Sequence, residues 1–89
     1  MISLGHERVR LLSWRLGYFP AQFAWRGRVH RVIRVQGIWE ECRDWPRRRR
    51  FRFYRLQCAA GLFILRHDLV HNLWHVVRAP SAASLQKSE

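Results

Sequence analysis

The run Arg47-Arg48-Arg49-Arg50 passes directly into Phe51-Arg52-Phe53-Tyr54-Arg55, so a block of four guanidinium groups is followed by arginines alternating with aromatic rings. Each guanidinium is a planar fork that can grip phosphate through two hydrogen bonds and can stack on a base or a ring. Aromatic faces accept bases without reading their identity, while phosphate contacts supply affinity. Between residues 26 and 55 there are eleven arginines and three acidic residues, Glu40, Glu41 and Asp44. That third of the chain therefore carries eight of the eleven net positive charges. Such a block reads either as a surface for binding a polyanion or as a solvated loop.

The other reactive residues make weaker constellations. Glu40, Glu41 and Asp44 could form a carboxylate cluster, but among so many arginines they read as internal counter-ions, and a catalytic carboxylate would need burial to tune its pKa. His67, His71 and His75 recur every fourth residue. On a helix they would share a face and could hold a metal; on a hairpin they would not, and they read as surface or partly buried imidazoles. Cys42 and Cys58 are the only cysteines and their separation matches no zinc-ligand pair. Ser13 lies in no Gly-x-Ser-x-Gly elbow, and no phosphate-binding glycine loop occurs. The expectation is a non-catalytic protein that needs neither a metal nor another cofactor.

These residues sit in a chain of 89 residues with a formal charge of +11, in which Lys87 is the only lysine. A GC-rich coding sequence would also favour arginine over lysine, but the charge itself calls for a nucleic acid, an acidic protein or an anionic membrane surface. Hydrophobic residues make up 48% of the sequence, too many for a disordered chain. One small domain is the most this length allows, and at this size the margin of stability is narrow. The start is interrupted by His6, Glu7 and arginines, so it lacks the apolar core of a signal peptide, and no run of 18 apolar residues exists to span a membrane. A cytoplasmic protein with reduced thiols is expected, associated with the nucleoid if it binds DNA.

The elements that must position the arginines are short and rich in β-branched and aromatic residues. Residues 1–16 read either as a bulged strand or as a short helix. Phe23 and Trp25 precede Arg26-Gly27-Arg28, and Val29–Val35 follows, which predicts a β-hairpin turning at Gly27. Residues 36–50, punctuated by Gly37 and Pro46, read as a long connection. Phe51–Cys58 is a strand, with Phe51 and Phe53 on one face and Tyr54, Leu56 and Cys58 on the other. Ala59-Ala60-Gly61 turns the chain into Leu62–Arg66. The stretch from His67 to Arg78 fits either helical spacing or two strand ends around a polar loop. Residues 79–89 have no apolar pattern and read as a disordered tail. Trp25, Phe53, Phe63 and Trp74 are the expected core.

From Gly17 the sequence runs G-x-x-P-x-x-F-x-W-x-G-R-x-x-R-V-x-x-V-x-x-x-W, ending at Trp39. It continues as F-Y-R-L at Phe53–Leu56, G-x-F-x-L-R-x-D at Gly61–Asp68 and W-x-V-x-R at Trp74–Arg78. Over residues 17–78 this pattern resembles a family of small, uncharacterised bacterial β-rich domains, often encoded near or fused to mutasome-type Y-family DNA polymerases. His30 stands where that family tends to place an aromatic residue, so a stacking role at this position does not carry over.

The resemblance implies strands at the C-terminal end, with His67–Asn72 as their loop. It implies a small, strongly bent antiparallel sheet or barrel of about five strands over residues 17–78. It also implies a setting in lesion bypass or repair, with a DNA polymerase or another repair protein as a partner. The reading is thus a mainly β accessory module that binds nucleic acid, DNA in preference to RNA, with little sequence preference. Arg47, Arg48, Arg49, Arg50 and Arg52 are expected to contact phosphates. Arg28, Arg31 and Arg55 extend the track, and Trp39, Trp45 and Tyr54 are the stacking candidates. The alternative is an adaptor that docks an acidic protein surface, using an apolar patch from Leu11, Leu12, Trp14 and Leu16.

Overall fold

A computed structural model describes residues 2–17, 19–43 and 49–80, with the side chains of residues 2–6 left aside. The chain forms six strands: β1 (Ile2–Arg15), β2 (Phe19–Trp25), β3 (Arg28–Arg43), β4 (Arg49–Cys58), β5 (Gly61–Asp68) and β6 (Leu73–Ala79). Each pairs antiparallel with the next, and β1 pairs with β6 to close the barrel. Closure leaves no strand without a neighbour, which a small sheet needs if it is to avoid edge-to-edge association. No helix among the described residues is long and apolar enough to cross a membrane.

Alternation along the strands fills the barrel. Phe23, Tyr54, Leu56, Phe63, Leu65 and Val76 are almost completely buried, and Trp25 and Trp74 close the core. Phe63 meets Phe23 and Trp25 edge-on, at centroid distances of 5.2 and 5.7 Å. Arg26 and Gly27 both have positive φ, 52° and 76°. That is the signature of a two-residue turn whose twist matches the flanking strands. Arg26 is held in this costly conformation by Glu7, which also accepts a hydrogen bond from Trp25 Nε1 at 3.1 Å. At Gly61, φ is 132° and a Cβ would lie 2.7 Å from Pro80, so no other residue fits between the β4–β5 turn and the end of β6.

Three regions differ from the sequence reading or decide between its alternatives. The N-terminal segment is a strand, and it is the sixth element beyond the expected five. Much of the supposed connection over residues 36–50 is strand: β3 continues to Arg43 and β4 begins at Arg49. Pairing with β4 satisfies the backbone groups of that stretch that face it, from Gly37↔Arg55 to Arg43↔Arg49. His67 and Asp68 belong to β5 rather than to the loop, and the turn is confined to residues 69–72. Asp68 organises that turn by accepting hydrogen bonds from the backbone of Val70 (2.9 Å) and His71 (3.1 Å). The expected tail overlaps the described residues only at Ala79, which ends β6, and Pro80; residues 81–89 lie outside them.

Candidate nucleic-acid interface

The β3–β4 hairpin extends its two arms beyond the core, and side-chain alternation gives it two unlike faces. Two register shifts in β3, between Val32 and Arg34 and between Val35 and Gly37, reset the alternation before the hairpin arm begins. From there Trp39, Glu41 and Arg43 share the outer face with Arg49, Phe51, Phe53 and Arg55 of β4. Arg66 of β5, opposite Phe53, joins them. Ile38, Glu40 and Cys42 share the other face with Tyr54, Arg52 and Arg50.

On the outer face, Trp39 and Phe53 are half-buried and stack with centroids 5.3 Å apart and planes 6° from parallel. Arg55 lies 5.9 Å from the Trp39 ring. Arg49 and Arg66 both lie on the Phe51 ring, at 5.2 and 4.7 Å, leaving Phe51 only 7% exposed. Such cation–π contacts are worth about 0.5–1 kcal/mol each at exposed sites. Arg43, Arg49, Arg66 and Glu41 surround a cleft of about 310 Å³ floored by Phe51 and Phe53. Arg66 is held below the usual arginine pKa, chiefly by burial and then by the charge of Arg49. Further along β3, Arg31 and Arg34 are exposed beside Gln22 and Gln57. From Arg31 to Arg43 the face extends for roughly 35–40 Å at the rise of a β-strand.

The opposite face is partly neutralised. Arg52 donates to Glu40 through Nε (3.0 Å) and Nη2 (2.8 Å), and Arg50 Nη2 stands 3.6 Å from the other carboxylate oxygen. The hydrogen bond from Arg52 holds Glu40 below the ordinary carboxylate range. Glu40, and then Tyr54, raise Arg52 in turn.

The structure therefore divides the arginines and rings expected at the site. Arg31, Arg49, Arg55 and Trp39 share the outer face. Arg50 and Arg52 are on the other, engaged by Glu40. Tyr54, expected to stack on bases, is 1% exposed and belongs to the core, because its position in β4 points into the barrel. Phe53, expected in the core, lies outside it for the converse reason. Arg28 pairs with Trp25 at the far end of the barrel. Trp45, Arg47 and Arg48 lie outside the described residues. Arg34, Arg43, Arg66 and Phe51 complete the face and were missed. Once residues 37–43 are known to be strand, alternation places Arg43 opposite Arg49; only the β4–β5 register reveals Arg66.

The remaining reactive groups are engaged elsewhere. His67 stacks on Trp74 at 4.0 Å, and its Nε2 lies 2.8 Å from Asn72 Oδ1. His71 Nδ1 meets Asp68 Oδ2 at 3.0 Å. No three His, Cys, Asp or Glu side chains among the described residues are grouped to hold a metal. His30 is half-buried, stacked on Phe23 at 5.3 Å, and burial holds its pKa below the ordinary histidine value. Cys42 is exposed; Cys58 is buried, which pushes its thiol up to about 12.

Residues 8–83 match the family described as "Domain of unknown function (DUF6504)". No curated protein and no solved structure matches the chain.

Proposed function

We propose, for a chain that belongs to the DUF6504 family, that it is a non-catalytic nucleic-acid-binding module whose outer β3–β4–β5 face receives DNA with little sequence preference. The observation that supports this most is the segregation of charge on the hairpin. Arg31, Arg34, Arg43, Arg49, Arg55 and Arg66 share the face that carries the Trp39–Phe53 stack with a single carboxylate, Glu41, while Glu40 pairs with Arg50 and Arg52 on the other. Phosphates would meet the arginines, and an unpaired base would meet the exposed part of the Trp39–Phe53 pair. The polymerase setting implied by the resemblance suggests single-stranded or primer–template DNA, handled during lesion bypass at the bacterial nucleoid.

The test is a salt titration of binding to single-stranded DNA, duplex DNA and RNA. If about five phosphates are neutralised, log affinity should fall against log salt with a slope of roughly −4 to −5 on duplex and about −3.5 on single strands. Affinity that ignores salt, or no binding to any of the three below millimolar concentration, rejects the proposal.

A second reading has its own support. Leu12, Trp14 and Leu16 are exposed at the end of β1, Trp14 by 44% and Leu16 by 78%, while Leu11 packs on the core. Trp14 lines a shallow pocket with Arg8 and Arg10, which would suit an adaptor docking an acidic protein surface, for example on a polymerase. Stoichiometric co-purification with a protein after nuclease treatment, lost on Trp14→Ala, would favour that reading.

A further inference from the structure

Charge is more crowded in the cleft over Phe51 than anywhere else on the outer face. Arg43 and Arg49 are direct cross-strand partners on that face, an arrangement of like charges that destabilises a sheet. Arg49 and Arg66 lie on the same ring. Arg66 Nε is buried without a hydrogen-bond partner among the described residues. The nearby carboxylate of Asp68 offsets part of the charge on Arg66 but gives Nε no hydrogen bond, because its oxygens are committed to the β5–β6 turn, to Val70, to the His71 backbone and to the His71 ring. Glu41 is the one acidic residue lining the cleft. Three repelling cations around an aromatic floor are stabilised when an anion sits between them.

We propose that this cleft is a subsite for a phosphate monoester, gripped by Arg49 and Arg66 with Arg43 at its rim. The charge count selects the class of anion. Three arginines and one glutamate leave the lining with two positive charges. A monoester carries about −1.5 to −2 at neutral pH, whereas each internal phosphodiester carries a single negative charge. Guanidinium forks can each engage two of its three terminal oxygens. In nucleic acid the ligand is a phosphorylated strand end, which would make the module prefer ends or nicks; this part rests on the proposed DNA-binding face. Free phosphate offers the same chemistry without DNA.

The test compares the full chain's affinity for oligonucleotides of one sequence carrying a 5′-phosphate, a 3′-phosphate or hydroxyl ends, with inorganic phosphate as competitor. A hydroxyl-ended oligonucleotide one nucleotide longer controls for the added charge. At least one phosphorylated end should bind about tenfold tighter than the longer control, the gain expected of an added charge-assisted bidentate contact. Arg66→Gln and, separately, the exposed Arg49→Gln should abolish that preference, whereas Arg34→Gln should weaken all oligonucleotides alike. Thermal unfolding checks that each variant is folded; Arg49→Gln carries the test if Arg66→Gln is not. Equal affinity for phosphorylated and hydroxyl ends, with no competition by phosphate, overturns the inference and leaves the DNA-binding face standing. Phosphate binding that depends on Arg49 and Arg66, without binding of hydroxyl-ended strands, does the reverse.

Discussion

Arg49 and Arg50 are neighbours in the chain and opposites in circumstance. Arg49 lies on Phe51 among other cations, whereas Arg50 faces Glu40 across the hairpin. The same contrast separates Phe53 from Tyr54 and Trp39 from Glu40. An arginine run in a strand thus delivers only half of its charge to either face. Of the two carboxylates on β3, Glu40 stands opposite Arg52 and pairs with the arginines of the inner row. Glu41, on the outer row, makes no ion pair among the described residues with any of the three arginines that share its cleft.

The sharpest break between the two faces should appear in stability. Tyr54→Ala removes a ring that is almost completely buried and also removes a partner of Arg52. Substitutions of this kind cost about 3–5 kcal/mol, a large part of what holds a small domain folded. Trp39→Ala removes a half-buried ring from the outer stack and should cost only about 1 kcal/mol, the value of an aromatic pair. Chemical denaturation of both variants measures the contrast. Equal losses would mean that the outer rings are structural, and the case for a stacking surface would lapse.

Binding should divide the faces in the other direction. At 0.1 M salt each neutralised phosphate contributes about tenfold to affinity, so reversing two outer arginines, Arg49→Glu with Arg55→Glu, should weaken binding to single-stranded DNA about 100-fold. The paired change Glu40→Gln with Arg52→Gln leaves net charge unaltered and removes an exposed ion pair, so affinity should stay within about threefold. The opposite ranking, measured by fluorescence anisotropy, would move the binding surface to the inner row.

How far this division could be read from the chain depends on where alternation could be trusted. Over Phe51–Cys58 it worked: the two faces are those expected, and the hairpin at Gly27 follows from its flanking strands. It failed where the composition looked like a loop. Gly37, three carboxylates and Pro46 mask the strand character of residues 37–43, which rests on long-range pairing with β4. Without that strand, Glu40 could be read as a counter-ion but not matched to Arg50 and Arg52, and Arg43 had no face. Alternation also cannot say which face of a barrel strand points inward. Tyr54 and Phe53 therefore exchange the places that the sequence suggests for them, since both are large rings and only closure of the sheet decides between them. Arg66 joined the site through the β4–β5 register, a property of the sheet rather than of any local segment.

The smallest expected effect tests whether the inner arginines are silent because of their position or because of Glu40. Position alone predicts that Glu40→Gln changes nothing in binding. Neutralisation by Glu40 predicts that the same variant frees Arg50 and Arg52 to reach a backbone that wraps around the hairpin's edge. The gain should be at most about tenfold at 0.1 M salt, one phosphate contact, with a salt slope steeper by about 0.7 on single strands. The pH dependence supplies the check. Glu40 is held below the ordinary carboxylate range by Arg52. Its ion pairs are thus intact above that range and are lost only as pH falls through the lowered folded-state value. The difference between wild type and Glu40→Gln should accordingly stay constant from pH 7 to 5 and should close only in stronger acid. A difference that closed already between pH 7 and 6 would assign the effect to an imidazole and leave the inner row silent by position.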